Sequence, residues 1–591
     1  MLAPVRRDAA LPPAALAAAR GRGPPRPPSR AAAARLRRAS SSRSPSDHSS
    51  RRRHLATRRS SARSRAAVSS RRAALAPRAE RHAVSLDDAR ALFSSRFPPG
   101  STKLDLRETS CGRGLVATAR IAPGEVLVAV PWRETVRVFE DGHDDPDDVR
   151  LALELLRVLN EGGDGPDDPR VAVWRAYRPM LPSSTGAAAF WRPENIRALQ
   201  HDDAVDRTAD LAAAFRAHAR RHADASARRT EADVLWALSM VHSRSFSAET
   251  SRGRARVLVP FVDLFNHRPE SPAQARETDE ALRRALAEEA RRVAEEQAEE
   301  GRPNSALHSS PSAHAAEPWR VVGEAEGEGD DEDGGDSARD STAWFQMRSI
   351  WGFEPGEEVF ITYGHETSAE LLASYGFVPE PNAGDFVALY RDVQDVLDDD
   401  RFTPNDSPAL AMEKEQVMWS ALAVEAPLAV RPGGVKDAAH LLGCLRVMHA
   451  GPRALAAVRD RDVREIGHST FVWEDREEEE DGGDRGGAGE EEGKKVEEEE
   501  EERRAVDAAA LGHAAARCAE MLDAFPTTLR EDEDALRELE AATEEGGEEG
   551  EEDVEGVEEY VTAVRYRMSV KRMLEDFVRE CAEMGVEPTA W

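Results

Sequence analysis

Two tyrosines, an Asn-His pair, one arginine and a pair of glycines are the residues of this chain whose type and setting could serve chemistry. Tyr363 closes Gly356-Glu-Glu-Val-Phe-Ile-Thr-Tyr-Gly364, and Tyr375 precedes Gly376-Phe377. A tyrosine hydroxyl at a strand end can orient a reacting group, although such a residue usually packs its ring and leaves the hydroxyl in water. Asn266-His267 follow Val257-Leu-Val-Pro260 and Phe261-Val-Asp-Leu-Phe265, where an Asn ordinarily marks a turn. Arg244, in Ser243-Arg-Ser-Phe246, reads by itself as a surface or ion-paired arginine. Gly112-Arg-Gly114 allows a tight turn and a close backbone approach, and no more than that by itself.

Several chemistries are excluded. The chain has no G-x-x-x-x-G-K-[ST] phosphate loop and no G-x-S-x-G nucleophile elbow. Gly112-Arg-Gly114 leads into a strand, so it is not a dinucleotide fingerprint. Cys111, Cys444, Cys518 and Cys581 show no C-x-x-C spacing, and no His/Cys cluster has metal-ligand spacing, so no metal is expected. His242 and His365 read as ordinary surface or core histidines.

The elements that must position these residues follow from pattern. Residues 112–131 read as strand, Pro-Gly turn, strand. Residues 148–160, 209–222 and 231–243 have helical apolar spacing, and 257–260 reads as a short buried strand. After about 385 the chain turns helical, over 408–424, 436–449, 505–524, 532–543 and 555–583. Residues 270–340 read as a low-complexity insertion, and 474–504 as a disordered acidic loop.

The 591 residues carry a net charge of −31, unevenly distributed. In residues 1–80 the only acids are Asp8, Asp47 and Glu80, among many Arg, Ala, Ser and Pro. Such a head fits a chloroplast or mitochondrial transit peptide; a basic nucleic-acid-binding tail and plain disorder are the rivals. The acidic body could attract basic substrates, although acidic runs are more often solvated loops. No stretch reaches the roughly 18 apolar residues of a membrane helix, so no membrane partner is expected.

Taken in order, four segments resemble the SET-domain protein methyltransferases: Gly112-Arg-Gly-Leu-Val-Ala-Thr with Ala122-Pro-Gly-Glu125, Asp263-Leu-Phe-Asn-His267, Gly356 to Gly364, and Glu370-Leu-Leu to Tyr375-Gly-Phe377. Further segments resemble the branch that includes Rubisco large-subunit lysine methyltransferase. They are Trp174-Arg-Ala-Tyr177 with Leu181-Pro182 and Phe190-Trp191, Ser243-Arg-Ser-Phe246, Phe525-Pro-Thr-Thr-Leu-Arg-Glu-Asp-Glu-Asp534, Val564-Arg-Tyr-Arg567 and Lys571-Arg-Met-Leu574. The chain departs from the family in carrying Cys111 and Arg113 around the glycines, where Glu or Ser-Lys is frequent, and in lacking the zinc-binding cysteine cluster of many histone-directed relatives.

The resemblance implies an α+β protein: a β-rich SET core over 81–384 with a pseudoknot and a helical insert over about 136–230, then an all-α substrate-binding domain over 385–591. It implies S-adenosylmethionine as cofactor and methyl transfer to a lysine of a protein substrate. Tyr363 would be catalytic. Gly112, Arg113, Gly114, Arg244, Asn266, His267 and Phe377 would hold the cofactor, Arg244 at its carboxylate end and Phe377 on the adenine side. Tyr375 and Phe246 would line the substrate channel, and Phe246, where histidine-methylating relatives carry a polar residue, favours lysine. Histidine methylation and a non-catalytic SET-like scaffold are the alternatives. A monomer in the chloroplast is expected, with mitochondrion, cytoplasm or nucleus as other locations, and no nucleic-acid partner.

Overall fold

A computed structural model describes residues 84–588 apart from 99, 166–167, 225–228, 269–318, 323–342, 365, 400–401, 403–405, 420–426, 459–460, 462, 468–488 and 545–553. The basic head, most of the 270–340 insertion, residues 474–488 and His365 therefore lie outside the described residues.

Helix α1 (Leu86–Arg96) is capped by Ser85 and leads into the hairpin of β1 (Leu104–Thr109) and β2 (Gly112–Ala117). The alternation in β1 puts Leu104 and Leu106 inside and Asp105 and Arg107 outward, which fixes the register Leu106↔Leu115. Strands β3 (Val126–Pro131) and β4 (Val136–Phe139) follow. Then come α2 (Asp147–Leu156), α3 (Pro169–Tyr177), α4 (Asp202–His222) and α5 (Glu231–Arg244). Thr230 and Asp233 form a capping box at the start of α5. Its last residue, Arg244, runs directly into β5 (Ser245–Thr250), which hairpins into β6 (Gly253–Leu258).

The sheets are small and depend on distant pairings. β4-β6-β5 form one antiparallel sheet. β3 joins β9 (Trp344–Arg348) and β8 (Trp319–Val322) in another. β7 (Asn266–His267) pairs in parallel with β10 (Phe360–Ile361), just before Tyr363. Antiparallel bridges Val116↔Glu358 and Ile121↔Phe353 bind the segment before β10 to the N-terminal strands.

Helix α6 (Ser368–Tyr375) ends at Gly376 in the left-handed region, and the C-terminal half follows. It holds α7 (Pro408–Trp419), α8 (Ala439–His449), α9 (Gly489–Ala524), α10 (Leu529–Glu544) and α11 (Val554–Glu583).

Four expectations need correction. The C-terminal half is not all-α: β11 (Val387–Tyr390) and β12 (Leu428–Val430) form an antiparallel ribbon, whose apolar faces bury Val387, Leu389, Leu428 and Val430. The insert assigned to 136–230 opens as a strand, because Val136 is a fully buried partner of Leu258. Within the 270–340 insertion, Trp319–Val322 is sheet, held by pairing with β9 and by the Trp319 indole donating to the Ser247 carbonyl at 2.7 Å. The acidic run from 489 to 504 is the start of α9: Glu, Lys and Arg are good helix formers, and Arg504 pairs with Glu500 one turn earlier.

Two apolar cores result. The first gathers the strands and helices around Leu106, Leu115, Trp132, Leu151, Phe265 and Phe345. The second gathers Tyr390, Leu441, Leu445, Tyr566, Leu574 and Phe577, and it takes in Trp191, Ile196 and Leu199 from the insert. A buried ion network ties that insert to the C-terminal helices. Asp532 accepts from Lys571 at 2.5 Å and from Arg567 at 2.7 Å, while Arg567 also donates to the Ala198 carbonyl at 2.8 Å. The segments 525–534, 564–567 and 571–574, which carry the branch resemblance, are thus the parts of this network and its surroundings.

Candidate active site

The site is built where three stretches of distant sequence meet: the β1–β2 hairpin, the turn from β6 into β7, and the strand end from 358 to 364. The β6–β7 turn is sharp. Phe261 sits at φ +69°, a conformation that costs a bulky residue about 1–3 kcal/mol. It is held by its ring lying 4.6 Å from that of Tyr177 and 6.2 Å from that of Phe93. The turn delivers Asp263 and then Asn266-His267 to the base of the site.

A polar cradle forms first. The Asn266 side-chain amide donates to Glu358 Oε1 at 2.7 Å and to the Arg113 carbonyl at 3.1 Å. With both amide hydrogens so used, Asn266 Oδ1 is the atom turned away from these partners, an acceptor suited to an ammonium group. The Thr109 hydroxyl donates to the same Glu358 oxygen at 3.1 Å. Gly114 is the floor: a Cβ there would press on Glu358 Oε1 and lie 2.9 Å from Asn266 Nδ2. The glycine is required by this close approach, not by its φ. Gly112 closes the hairpin turn at φ +90°. Arg113 points the other way, donating to the Val84 carbonyl at 2.5 Å.

An aromatic cluster stands beside the cradle. Tyr363 and Tyr375 stack with centroids 4.8 Å apart and planes at 27°. Phe377 meets Tyr363 at 6.4 Å and Tyr375 at 6.1 Å, and the His267 ring lies 5.1 Å from Tyr363 and 5.9 Å from Phe377. The Tyr363 hydroxyl donates to the Phe265 carbonyl at 2.8 Å, and its backbone N–H donates to His267 Nδ1 at 3.0 Å. Burial, with Glu366 adding to it, pushes the Tyr375 hydroxyl up to about 12, so this ring stays a neutral phenol near neutral pH. Such a set of rings can pack an alkyl stem and offers π faces to a cation.

Arg244 lies beneath. Its guanidinium is 8% exposed and meets Asp263 Oδ2 at 2.9 Å, with the Asp263 side chain 4% exposed. Tyr177 donates its hydroxyl to the other Asp263 oxygen; burial first, and Asp263 second, raise that phenol well above the ordinary tyrosine range. One guanidinium nitrogen, Nη1, is therefore paired with a buried carboxylate. Phe246 packs its ring on Trp319 at 5.2 Å and Phe345 at 5.7 Å rather than within the Tyr363 ring cluster.

Of the expected residues, the structure brings together Gly112, Gly114, Asn266, His267, Tyr363, Tyr375 and Phe377, with Arg113 contributing its carbonyl. It sets Arg244 below them in an ion pair and Phe246 in the neighbouring core. Sequence reasoning did not single out Glu358, Thr109, Asp263 or Tyr177. Glu358 and Asp263 were visible inside the motif segments, but only the fold shows that one carboxylate aims the Asn266 amide and the other neutralises Arg244.

No family model matches the chain. Among curated proteins it is 23% identical over 294 residues to the chloroplastic Ribulose-1,5 bisphosphate carboxylase/oxygenase large subunit N-methyltransferase of Nicotiana tabacum, over 48% of this chain and 49% of that protein. It is 30% identical over 175 residues to the chloroplastic [Fructose-bisphosphate aldolase]-lysine N-methyltransferase of Arabidopsis thaliana, over 27% of this chain and 34% of that protein. The matches thus span about half and about a third of the relatives' lengths. Both are of the kind that the motif order resembles. Among solved structures, the SET domain of LSMT bound to MeLysine and AdoHcy aligns at TM-score 0.46 and 16% identity, over 85% of this chain and 92% of that one. Rubisco LSMT bound to AdoMet aligns at TM-score 0.43 and 16% identity, over 85% and 92% of the two chains.

Proposed function

We propose that this chain is an S-adenosylmethionine-dependent protein-lysine N-methyltransferase. The observation that carries the reading is the convergence of the stacked Tyr363–Tyr375 pair with the Gly114–Asn266–Glu358 cradle. The motif order and the names of the curated relatives support it. When bound, the cofactor supplies a methyl group made electrophilic by the sulfonium.

The residues fit such a group in one respect and refine the expectation in another. Asn266 Oδ1 faces away from Glu358, as an acceptor for the cofactor's ammonium should, and Gly114 allows a close backbone approach. Arg244, already paired with Asp263, serves by fixing the turn that carries Asn266 and His267, with any carboxylate contact shared with that pair. His267 holds the Tyr363 backbone, and Phe377 closes the wall of the ring cluster.

Tyr363 is the catalytic residue in this reading. Its hydroxyl, anchored to the Phe265 carbonyl, directs its oxygen to orient an incoming amine. Tyr375 packs the lysine stem; the ammonium gives up its proton to solvent before transfer, which partial desolvation among the rings favours, leaving the nucleophilic neutral amine. Holding amine and methyl donor in line supplies most of the rate enhancement. The predominantly helical half after 385 is the substrate-binding part, and the basic head directs the chain to the chloroplast, as the relatives' names suggest.

The test uses the full chain with isotopically labelled S-adenosylmethionine and a plastid protein extract, reading the modified residue by mass spectrometry. Label on lysine supports the proposal. Label on histidine, or cofactor binding with no transfer to any protein, would replace it with one of the two alternatives.

A further inference from the structure

His218 and His222 lie four residues apart on the last turn of α4, with rings nearly parallel at 12° and centroids 6.3 Å apart. Asp145, from the loop before α2, reaches the same place. Its Oδ1 is 3.4 Å from His222 Nε2, and one ligand atom from each of the three residues lies within 4.8 Å of the others. Asp145 Oδ1, His218 Nδ1 and His222 Nε2 are all hidden from solvent and none makes a hydrogen bond. Asp145 Oδ1 has only the longer ion-pair contacts with His222 and Arg221, and a partner shared by the three residues would satisfy these buried atoms. By contrast, the neighbouring His242 and Asp148 satisfy each other at 2.7 Å.

We propose that Asp145, His218 and His222 bind one divalent first-row transition metal ion, of which Zn²⁺ is the best fit. Two imidazoles and one carboxylate are a borderline donor set, suited to Zn²⁺ rather than to the oxygen-seeking Ca²⁺ or Mg²⁺. In a tetrahedral site with bonds of about 2.0–2.2 Å, neighbouring ligand atoms stand about 3.3 Å apart. The Asp145–His222 separation of 3.4 Å is close to that value, and all three ligand atoms lie within 4.8 Å of one another. The C-terminal end of α4 adds a favourable dipole for a cation. Arg221, whose guanidinium lies 3.3 Å from Asp145 Oδ1, has a side chain 63% exposed and can swing into water as the ion enters.

The ion fastens the 141–146 loop to the end of α4, a structural staple independent of the methyl-transfer reading. The loop is pre-shaped for it, because His143 Nδ1 accepts the Asp145 backbone N–H at 3.0 Å. In the linear chain only the His-x₃-His spacing points to such a site, since the third ligand lies 73 residues upstream of the first histidine. The proposal departs from the expectation that no metal is bound.

The test is titration of chelator-treated full-length protein with Co²⁺, read by visible d–d absorption, and competition with Zn²⁺. One tight equivalent per chain is expected. It should be lost in the His218→Ala/His222→Ala variant and weakened by more than about tenfold in Asp145→Asn, since even partners outside the ligand shell are worth about 10–100-fold. Zn²⁺ should also raise the thermal midpoint of the wild type and not that of the double variant. Cys111→Ser controls for an exposed thiol. Absence of a tight equivalent would overturn the site and leave a plain His–Asp ion pair. So would persistence of the equivalent in the double variant, or its loss only in Cys111→Ser.

Discussion

Among single residues, Gly114→Ala would drive a methyl into Glu358 and Asn266, which are side-chain ends that can move. The fold should survive while S-adenosylmethionine affinity falls at least about tenfold, as isothermal titration would show. Asn266→Ala removes the acceptor proposed for the ammonium. A hydrogen bond to a charged group is worth about 1.5–3 kcal/mol, so the dissociation constant should rise about 10–100-fold, with a smaller fall in thermal midpoint because the amide also donates to Glu358 and the Arg113 carbonyl. Arg244→Ala behaves differently: it leaves Asp263 buried without its cation, and a loss of about 3–5 kcal/mol in unfolding free energy is expected by denaturant titration. A selective effect on the cofactor with unchanged stability would show that Arg244 does more than hold Asp263. Tyr363, Tyr375, Asn266 and His267 stood out only through the resemblance of their segments to a family; by their own spacing they read as packing and turn residues. The Glu358 and Asp263 roles were not legible, because a carboxylate in a motif does not reveal which amide or guanidinium it will meet.

Among the elements, α6 and its cap set the aromatic wall. Gly376 adopts φ +86°, and a Cβ there would lie 2.7 Å from the Ala187 backbone nitrogen, with the Gly186 carbonyl closer still. Backbone cannot yield as a side chain can. Gly376→Ala should therefore cost upward of about 1–3 kcal/mol, lower the melting temperature and displace Tyr375 and Phe377. A stable, fully active variant would contradict the packing described. Strands β2 and β3, α5 and the long C-terminal helices were legible from turn residues and apolar period, whereas β1 and its pairing with β2 were not, and β3 pairs with the distant β9 rather than across the Pro-Gly turn. The short strands β8, β11 and β12 were not legible either: each is three or four residues long and is strand only because a partner far along the chain pairs with it. The Glu run of 489–504 was read as a loop by its charge, whereas its residues favour helix and it continues into a half that packs.

In the molecule as a whole, two cores are joined by the insert and by the Asp532–Lys571–Arg567 network. Asp532→Asn weakens both ion pairs in a fully buried setting, and a loss of up to about 3–5 kcal/mol is expected, without a selective change in cofactor affinity. Acid should also loosen the second core. Burial, with Lys414 nearby, lowers the pKa of His449 to about 4. The unfolded chain therefore takes up a proton near pH 6.5 that the folded chain refuses until about pH 4. Stability should fall as pH drops through that window, by at most about 3 kcal/mol. Below it Asp148, lowered to about 2 despite burial by its bond to His242, adds a further loss. Unfolding titrations between pH 7 and 4 should show the slope, flattened in His449→Gln. A pH-independent stability over that range would refute the assignment.

If Tyr363 acts on the transferring methyl and its acceptor rather than on cofactor binding, the two functions should separate in Tyr363→Phe. Single-turnover methyl transfer and S-adenosylmethionine affinity, measured side by side in the full chain, decide the matter. The transfer rate is expected to drop on the order of 10²–10³-fold, with the dissociation constant unchanged to within about threefold. Transfer at the wild-type rate, or loss of cofactor binding in parallel with transfer, would remove Tyr363 from the catalytic role.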